Sequence, residues 1–63
     1  MSEKSSIAVV IFAYNESIHL PGALDHVRTF AKEIVVIDSF STDDTVNLAK
    51  AGGALVLQHP FQN

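Results

Sequence analysis

The chain contains no cysteine and no tryptophan, and only three glycines and two prolines in 63 residues. Without cysteine there is no disulfide and no thiolate metal site, so stability must come from burial. A chain of this length covers only about 60% of the surface its unfolded form exposes, which allows one small domain at most. No apolar run approaches the roughly 18 residues of a membrane span. Residues 1–6 lack the apolar centre of a signal peptide, so a cytoplasmic location is expected. Four Lys and Arg residues are scattered among seven Asp and Glu, for a net charge of −3. That leaves no basic patch and argues against nucleic acid as a partner. His19, His26 and His59 fall in three separate stretches with no ligand spacing, so no metal site is read from them. Glycine is also missing between Ile7 and Pro21, and neither G-x-G-x-x-G nor G-x-x-x-x-G-K-[ST] occurs anywhere. The usual backbone cradle for a nucleotide phosphate is therefore absent.

What is present is an apolar chain, 48% by residue count, unlike a disordered segment. Residues 7–12 (Ile-Ala-Val-Val-Ile-Phe) and 34–37 (Ile-Val-Val-Ile) are short continuous apolar runs, the pattern of strands buried on both faces of a parallel sheet. Residues 54–57 (Ala-Leu-Val-Leu) form a third, and Pro60 bars further ladder bonding beyond it. Between the first two, Leu20, Ala23, Leu24, Val27 and Ala31 recur at spacings of three and four, which predicts a helix over 21–32 with Pro21 in its first turn. Ser41-Thr42-Asp43-Asp44 has the form of a capping box with Ser41 as N-cap. It opens a shorter helix with Val46, Leu48 and Ala49 inward, stopped by Gly52 or Gly53.

The order strand, helix, strand, helix, strand predicts an α/β fold: a three-layer Rossmann-like half with a parallel sheet of order 3-2-1. The strand ending at Asp38 is then central. In such sheets ligands bind outside the carboxyl ends of the strands. That rim brings together the turns after Phe12 and after Ile37. They offer an aromatic plane (Tyr14), an amide (Asn15) and two carboxylates (Glu16 and Asp38). An aromatic face can stack on a base, and an ionised carboxylate accepts hydrogen bonds from a base N–H or a ribose hydroxyl. Asp after a strand also serves as a turn residue bonding local N–H groups, so both roles stand for Asp38.

These residues resemble a known family. Phe12-Ala13-Tyr14-Asn15-Glu16 is similar to the Pro-Ala-Tyr-Asn-Glu element of family 2 glycosyltransferases. Residues 34–45 resemble their Val-Val-Asp-Asp-Gly-Ser-Thr-Asp-x-Thr element, and Gly53-Ala54 matches the opening of their third strand. Glu33 to Asp43, with Gln62-Asn63, most resembles the bacterial lipopolysaccharide-core glucosyltransferase-like members. Phe12 stands for the usual Pro or Thr, and Ser39-Phe40 for Asp-Gly. If that turn needs a positive φ, Phe40 fits it poorly.

The resemblance implies a GT-A fold and transfer of a sugar from a UDP-sugar in cell-surface polysaccharide or lipopolysaccharide synthesis. It implies nucleotide binding by Tyr14, Asn15, Glu16 and Asp38. It places a whole enzyme in the cytoplasm or peripheral to the inner membrane. Family members also carry an Asp-x-Asp element for Mg²⁺ or Mn²⁺, a general base and an acceptor groove, none of which occurs in these residues. Residues 7–63 are thus expected to be a nucleotide-side, amino-terminal fragment, inactive alone, holding no metal and no catalytic residue, behind a flexible stretch at 1–6. An unpaired first strand would favour a homo-oligomer. Two alternatives remain: a non-catalytic self-associating α/β module, and a dinucleotide-binding half-domain with Asp38 on a ribose.

Overall fold

The computed structural model describes residues 6–60. The expectations placed on residues 1–5 and on Phe61, Gln62 and Asn63 lie outside them. Five elements occur in the expected order: β1 (Ala8–Ala13), α1 (Leu20–Val27), β2 (Glu33–Asp38), α2 (Thr45–Ala51) and β3 (Leu55–Gln58). The strands form one parallel sheet of order β1-β2-β3, with β2 central. Ala13 pairs with Asp38, and Asp38 with Gln58, so all three strands end at one rim. The ladder runs one step further there. Ser39 N–H donates to the Ala13 carbonyl at 3.0 Å, and His59 N–H to the Asp38 carbonyl at 2.9 Å.

The apolar runs of β1 and β2 are not buried on both sides. Burial along β2 alternates, with Ile34, Val36 and Asp38 covered and Val35 and Ile37 only half-buried. The covered positions pack with Leu20 and Leu24 of α1 and Ala49 of α2 in one core. Two crossovers of one hand, stepping the same way across the sheet, put both helices on the same face. The described residues therefore supply two layers, a sheet and a helical layer, rather than three. On the other face Val10, Phe12, Leu55 and Leu57 stay exposed, with Phe12 at 77%.

Helix α1 is shorter than the predicted 21–32. It starts at Leu20, with Pro21 in the first turn, and ends at Val27. The Phe30 N–H turns back to the Val27 carbonyl at 3.0 Å, and the Thr29 hydroxyl donates to the His26 carbonyl at 2.7 Å, tightening the chain out of the α-helix. Only Leu20 and Leu24 are deeply buried on this helix, and Ala23 faces outward. At the far end of α2, Gly53 is the left-handed residue, at φ 90°, and ends the helix as expected. Gly52 has an ordinary φ of −80° and serves packing instead. A Cβ there would sit 2.7 Å from Leu24 Cδ1 and 3.2 Å from an Arg28 guanidinium nitrogen. Arg28 donates to the Gly52 carbonyl at 2.9 Å, tying α1 to the end of α2.

Candidate functional site

The rim at the carboxyl ends of the strands is built by two loops, 14–19 and 39–44. In loop 14–19 the N–H groups of Asn15, Glu16 and Ser17 lie beyond the β1 ladder and before α1, and such donors need acceptors from elsewhere. The second loop provides them. The Asn15 N–H donates to Ser41 Oγ at 2.9 Å, Glu16 N–H to Thr45 Oγ1 at 2.9 Å, and Ser17 N–H to Asp43 Oδ2 at 3.2 Å. In return Asn15 Oδ1 accepts the Thr42 N–H at 2.8 Å. Asn15 holds this position at φ 51°, a left-handed conformation that Asn tolerates better than most residues.

This rack replaces the predicted capping box. The N-cap of α2 is Asp44, which makes no side-chain cap bond, and Ser41 lies outside the helix. The Ser41 hydroxyl instead donates to Asp38 Oδ1, while its N–H donates to Asp38 Oδ2 at 2.8 Å. Asp43 accepts the Thr45 N–H at 2.9 Å and the Thr45 hydroxyl. These bonds, with those from Ser17, favour the ionised carboxylate and lower its pKa from 3.8 to about 2, led by the Thr45 hydroxyl. Thr45 is fully buried, and its hydroxyl donates to Asp43 while accepting from Glu16. Sequence reading missed the Ser41, Asp43 and Thr45 rack. Its signal was a polar side chain at every second position, beside a glycine-free loop with orphan donors.

The four sequence-predicted residues gather at this one rim, in different roles. Tyr14 is exposed and lines a cleft of about 570 Å³ on the sheet face away from the helices. Phe12 of β1, Ile37 and Ser39 at the end of β2, His59 and Pro60 after β3, and Glu16 complete most of its wall. Glu16 thus borders the cleft while its backbone is held by Thr45. Asn15 is engaged in the loop rack. Asp38 belongs to the opposite face. It is fully buried and bonded to Ser41 and, at 3.4 Å, to the Gln58 amide, and it does not border the cleft. Strand alternation explains this, since Ile37 and Ser39 share one face of β2 and Asp38 takes the other. The Asp38 carboxylate here accepts the local Ser41 N–H, a bond typical of an Asp that follows a strand.

Among the described residues, no three His, Asp or Glu side chains converge on a point that could hold a metal ion. They do not by themselves fit the divalent cation of the resembled family. No helix among them is long and apolar enough to cross a membrane.

The sequence pattern described as Glycosyl transferase family 2 matches residues 8–61. The chain belongs to this family. It is 40% identical over 55 residues to an uncharacterised glycosyltransferase of Rickettsia prowazekii, covering 87% of this chain and 19% of that one. It is 43% identical over 49 residues to the glycosyltransferase SunS of Bacillus phage SPbeta, covering 78% of this chain and 12% of the relative. The chain thus spans about a fifth or less of the curated relatives it matches. Among solved structures, it resembles glucosyl-3-phosphoglycerate synthase of Mycobacterium tuberculosis in complex with UDP. The TM-score is 0.75 and the identity 37%, over 84% of this chain and 21% of the synthase. The same enzyme in complex with Mn²⁺, UDP and glucosyl-3-phosphoglycerate matches with a TM-score of 0.74. These likenesses agree with the α/β fold and the family expected from residues 12–16 and 34–45.

Proposed function

We propose that this family 2 glycosyltransferase chain is the nucleoside-binding part of an enzyme that transfers a sugar from a UDP-sugar. The observation that carries the reading is the cleft at the ends of all three strands, with the exposed Tyr14 ring on its wall. An apolar cleft beside an exposed phenol suits a flat base that stacks on one side. The family membership, and the UDP bound to the related synthase, support uridine as the nucleoside. Tyr14 and Glu16 contact the nucleotide, while Asn15 and Asp38 hold the two loops that shape the cleft. Transfer further needs a base for the acceptor hydroxyl and stabilisation of the leaving diphosphate. In this reading other parts of the whole enzyme supply both, and any Mg²⁺ or Mn²⁺ belongs there. The 63 residues alone bind weakly and transfer nothing. The resemblance of residues 33–43 to lipopolysaccharide-core glucosyltransferase-like enzymes supports a cytoplasmic role in cell-surface polysaccharide synthesis.

Titration of the ¹⁵N-labelled chain with UDP and, separately, NAD tests the site. Shifts that cluster at Tyr14, Glu16, Ser39 and His59 with UDP are expected. Shifts with NAD alone would turn the reading toward a dinucleotide half-domain. A second reading, self-association, is favoured by the bare sheet face with Val10, Phe12, Leu55 and Leu57. Sedimentation is expected to show a dimer or larger species at micromolar concentration, and a monomer would count against it.

A further inference from the structure

We propose that Thr45, which does not border the cleft, is its positioning residue: the Thr45 hydroxyl sets the affinity for a nucleoside diphosphate by holding the loop that carries Tyr14 and Glu16. This rests on the nucleoside reading above and deepens it. Three observations carry it. The first is the place of Tyr14 in the chain. It stands between Ala13, fixed at the end of β1 by its pairing with Asp38, and Asn15-Glu16, where the Glu16 N–H donates to Thr45 Oγ1 at 2.9 Å. The Glu16 carbonyl in turn accepts the N–H groups of His19 at 3.1 Å and Leu20 at 2.8 Å, where α1 begins. Glu16 is thus the point at which the loop, α1 and α2 are tied together.

The second observation is how the bonds between the two loops meet water. Those from the Asn15 and Ser17 N–H groups to Ser41 and Asp43 are exposed. The bond from Glu16 is partly shielded, and Thr45 is fully buried. Water competes less for a shielded bond, and a donor that loses its partner there is left unpaired. The third observation is direction. An ionised carboxylate only accepts, so Asp43 takes the single hydrogen of the Thr45 hydroxyl. The Thr45 oxygen is left to accept from Glu16. Asp43 therefore points the hydroxyl, Thr45 holds Glu16, and Tyr14 and Glu16 line the cleft. Without the hydroxyl the loop takes up its cleft-forming position only part of the time. The apparent dissociation constant then rises by the inverse of that fraction.

The test is a titration of the full 63-residue chain with UDP, followed by ¹⁵N shifts, with urea unfolding of each variant alongside. Thr45→Val keeps the branched shape and removes the hydroxyl. It is expected to weaken UDP binding about three- to tenfold and to shrink the shifts at Tyr14 and Glu16. Thr45→Ser returns the hydroxyl without the methyl. It is expected to restore the affinity to within about twofold of the wild type while losing stability to the missing methyl. Gly52→Ala destabilises the far end of α2 through its clash with Leu24 and is expected to leave the affinity unchanged. Affinity that follows stability across the three variants, rather than the hydroxyl, would overturn the proposal. So would wild-type affinity in Thr45→Val. If Thr45→Val does not fold, Asp43→Ala, at an exposed position, decides instead. It frees the hydroxyl to turn and is expected to weaken UDP binding about twofold or more, and unchanged affinity would overturn the proposal. If UDP shifts no rim residue in the wild type, the nucleoside reading falls and this inference with it. Wild-type binding that survives loss of the hydroxyl removes only the inference.

Discussion

Asn15 and Ser41 are joined across the rim by a bond of 2.9 Å from the Asn15 N–H to the Ser41 hydroxyl oxygen, and Ser41 in turn donates to the buried Asp38. The side chain of Asn15 completes the bridge by accepting the Thr42 N–H at 2.8 Å. One residue thus couples both loops to the central strand. Asn15→Ala loses the Thr42 bond and places alanine at φ 51°, so a loss of about 1–3 kcal/mol is expected in urea unfolding. Asn15→Asp keeps the Oδ1 acceptor and is expected to cost much less. Equal losses in the two variants would show that the bridge is not what matters there.

The depressed Asp43 pKa sets an acid limit on the rim. The carboxylate is ionised in the folded chain down to about pH 2, against an ordinary value of 3.8. Its folded-state pKa is the lower one, so its contribution is full above about pH 4 and fades as pH falls toward 2. Asp43→Asn is expected to flatten the stability profile across that window. A profile as steep in the variant as in the wild type would assign the acid sensitivity to other carboxylates.

The two glycines after α2 are expected to fail differently. Gly52→Ala puts a methyl against Leu24 and the Arg28 guanidinium, and is expected to cost about 1–3 kcal/mol through overpacking. Gly53→Ala meets open space, but at φ 90°, and is expected to cost about 1–2 kcal/mol through the backbone alone. Adding Leu24→Ala to Gly52→Ala should recover part of the first loss by making room, and should leave the second untouched. Double-mutant unfolding cycles measure both.

Phe40 has φ 56° and is exposed, so an aromatic residue occupies a conformation that suits glycine. Phe40→Gly relieves that strain but adds freedom to the unfolded chain. A net gain of up to about 1 kcal/mol is expected. A loss of stability on thermal unfolding would mean that the ring makes a contact worth more than the strain it imposes.

The strands, their order and the shared rim were legible because each apolar run is short and ends abruptly in polar residues, as at Asp38 and after Ala13. The expectation that a glycine-like turn would not suit Phe40 was also legible, since steric limits on φ belong to the residue itself. Other features were not. Ser41-Thr42-Asp43-Asp44 reads as a capping box because the local pattern is right, yet Ser41 bonds to Asp38 and to Asn15, a partner distant in sequence. The helical stripe over 21–32 has the right period, but backward bonds at Thr29 and Phe30 end the helix early.

By itself the sequence determined which segments become strands and helices, that three strands end together, and which family the chain resembles. Only the tertiary structure decided which side of β2 is covered, and with it that Asp38 is turned inward and Ser39 toward the cleft. The reason is physical. The run Ile34-Val35-Val36-Ile37 is apolar at every position, so it carries no alternation to mark an inner face. The choice falls to the crossovers, which lay α1 and α2 on one side and leave the other to the cleft.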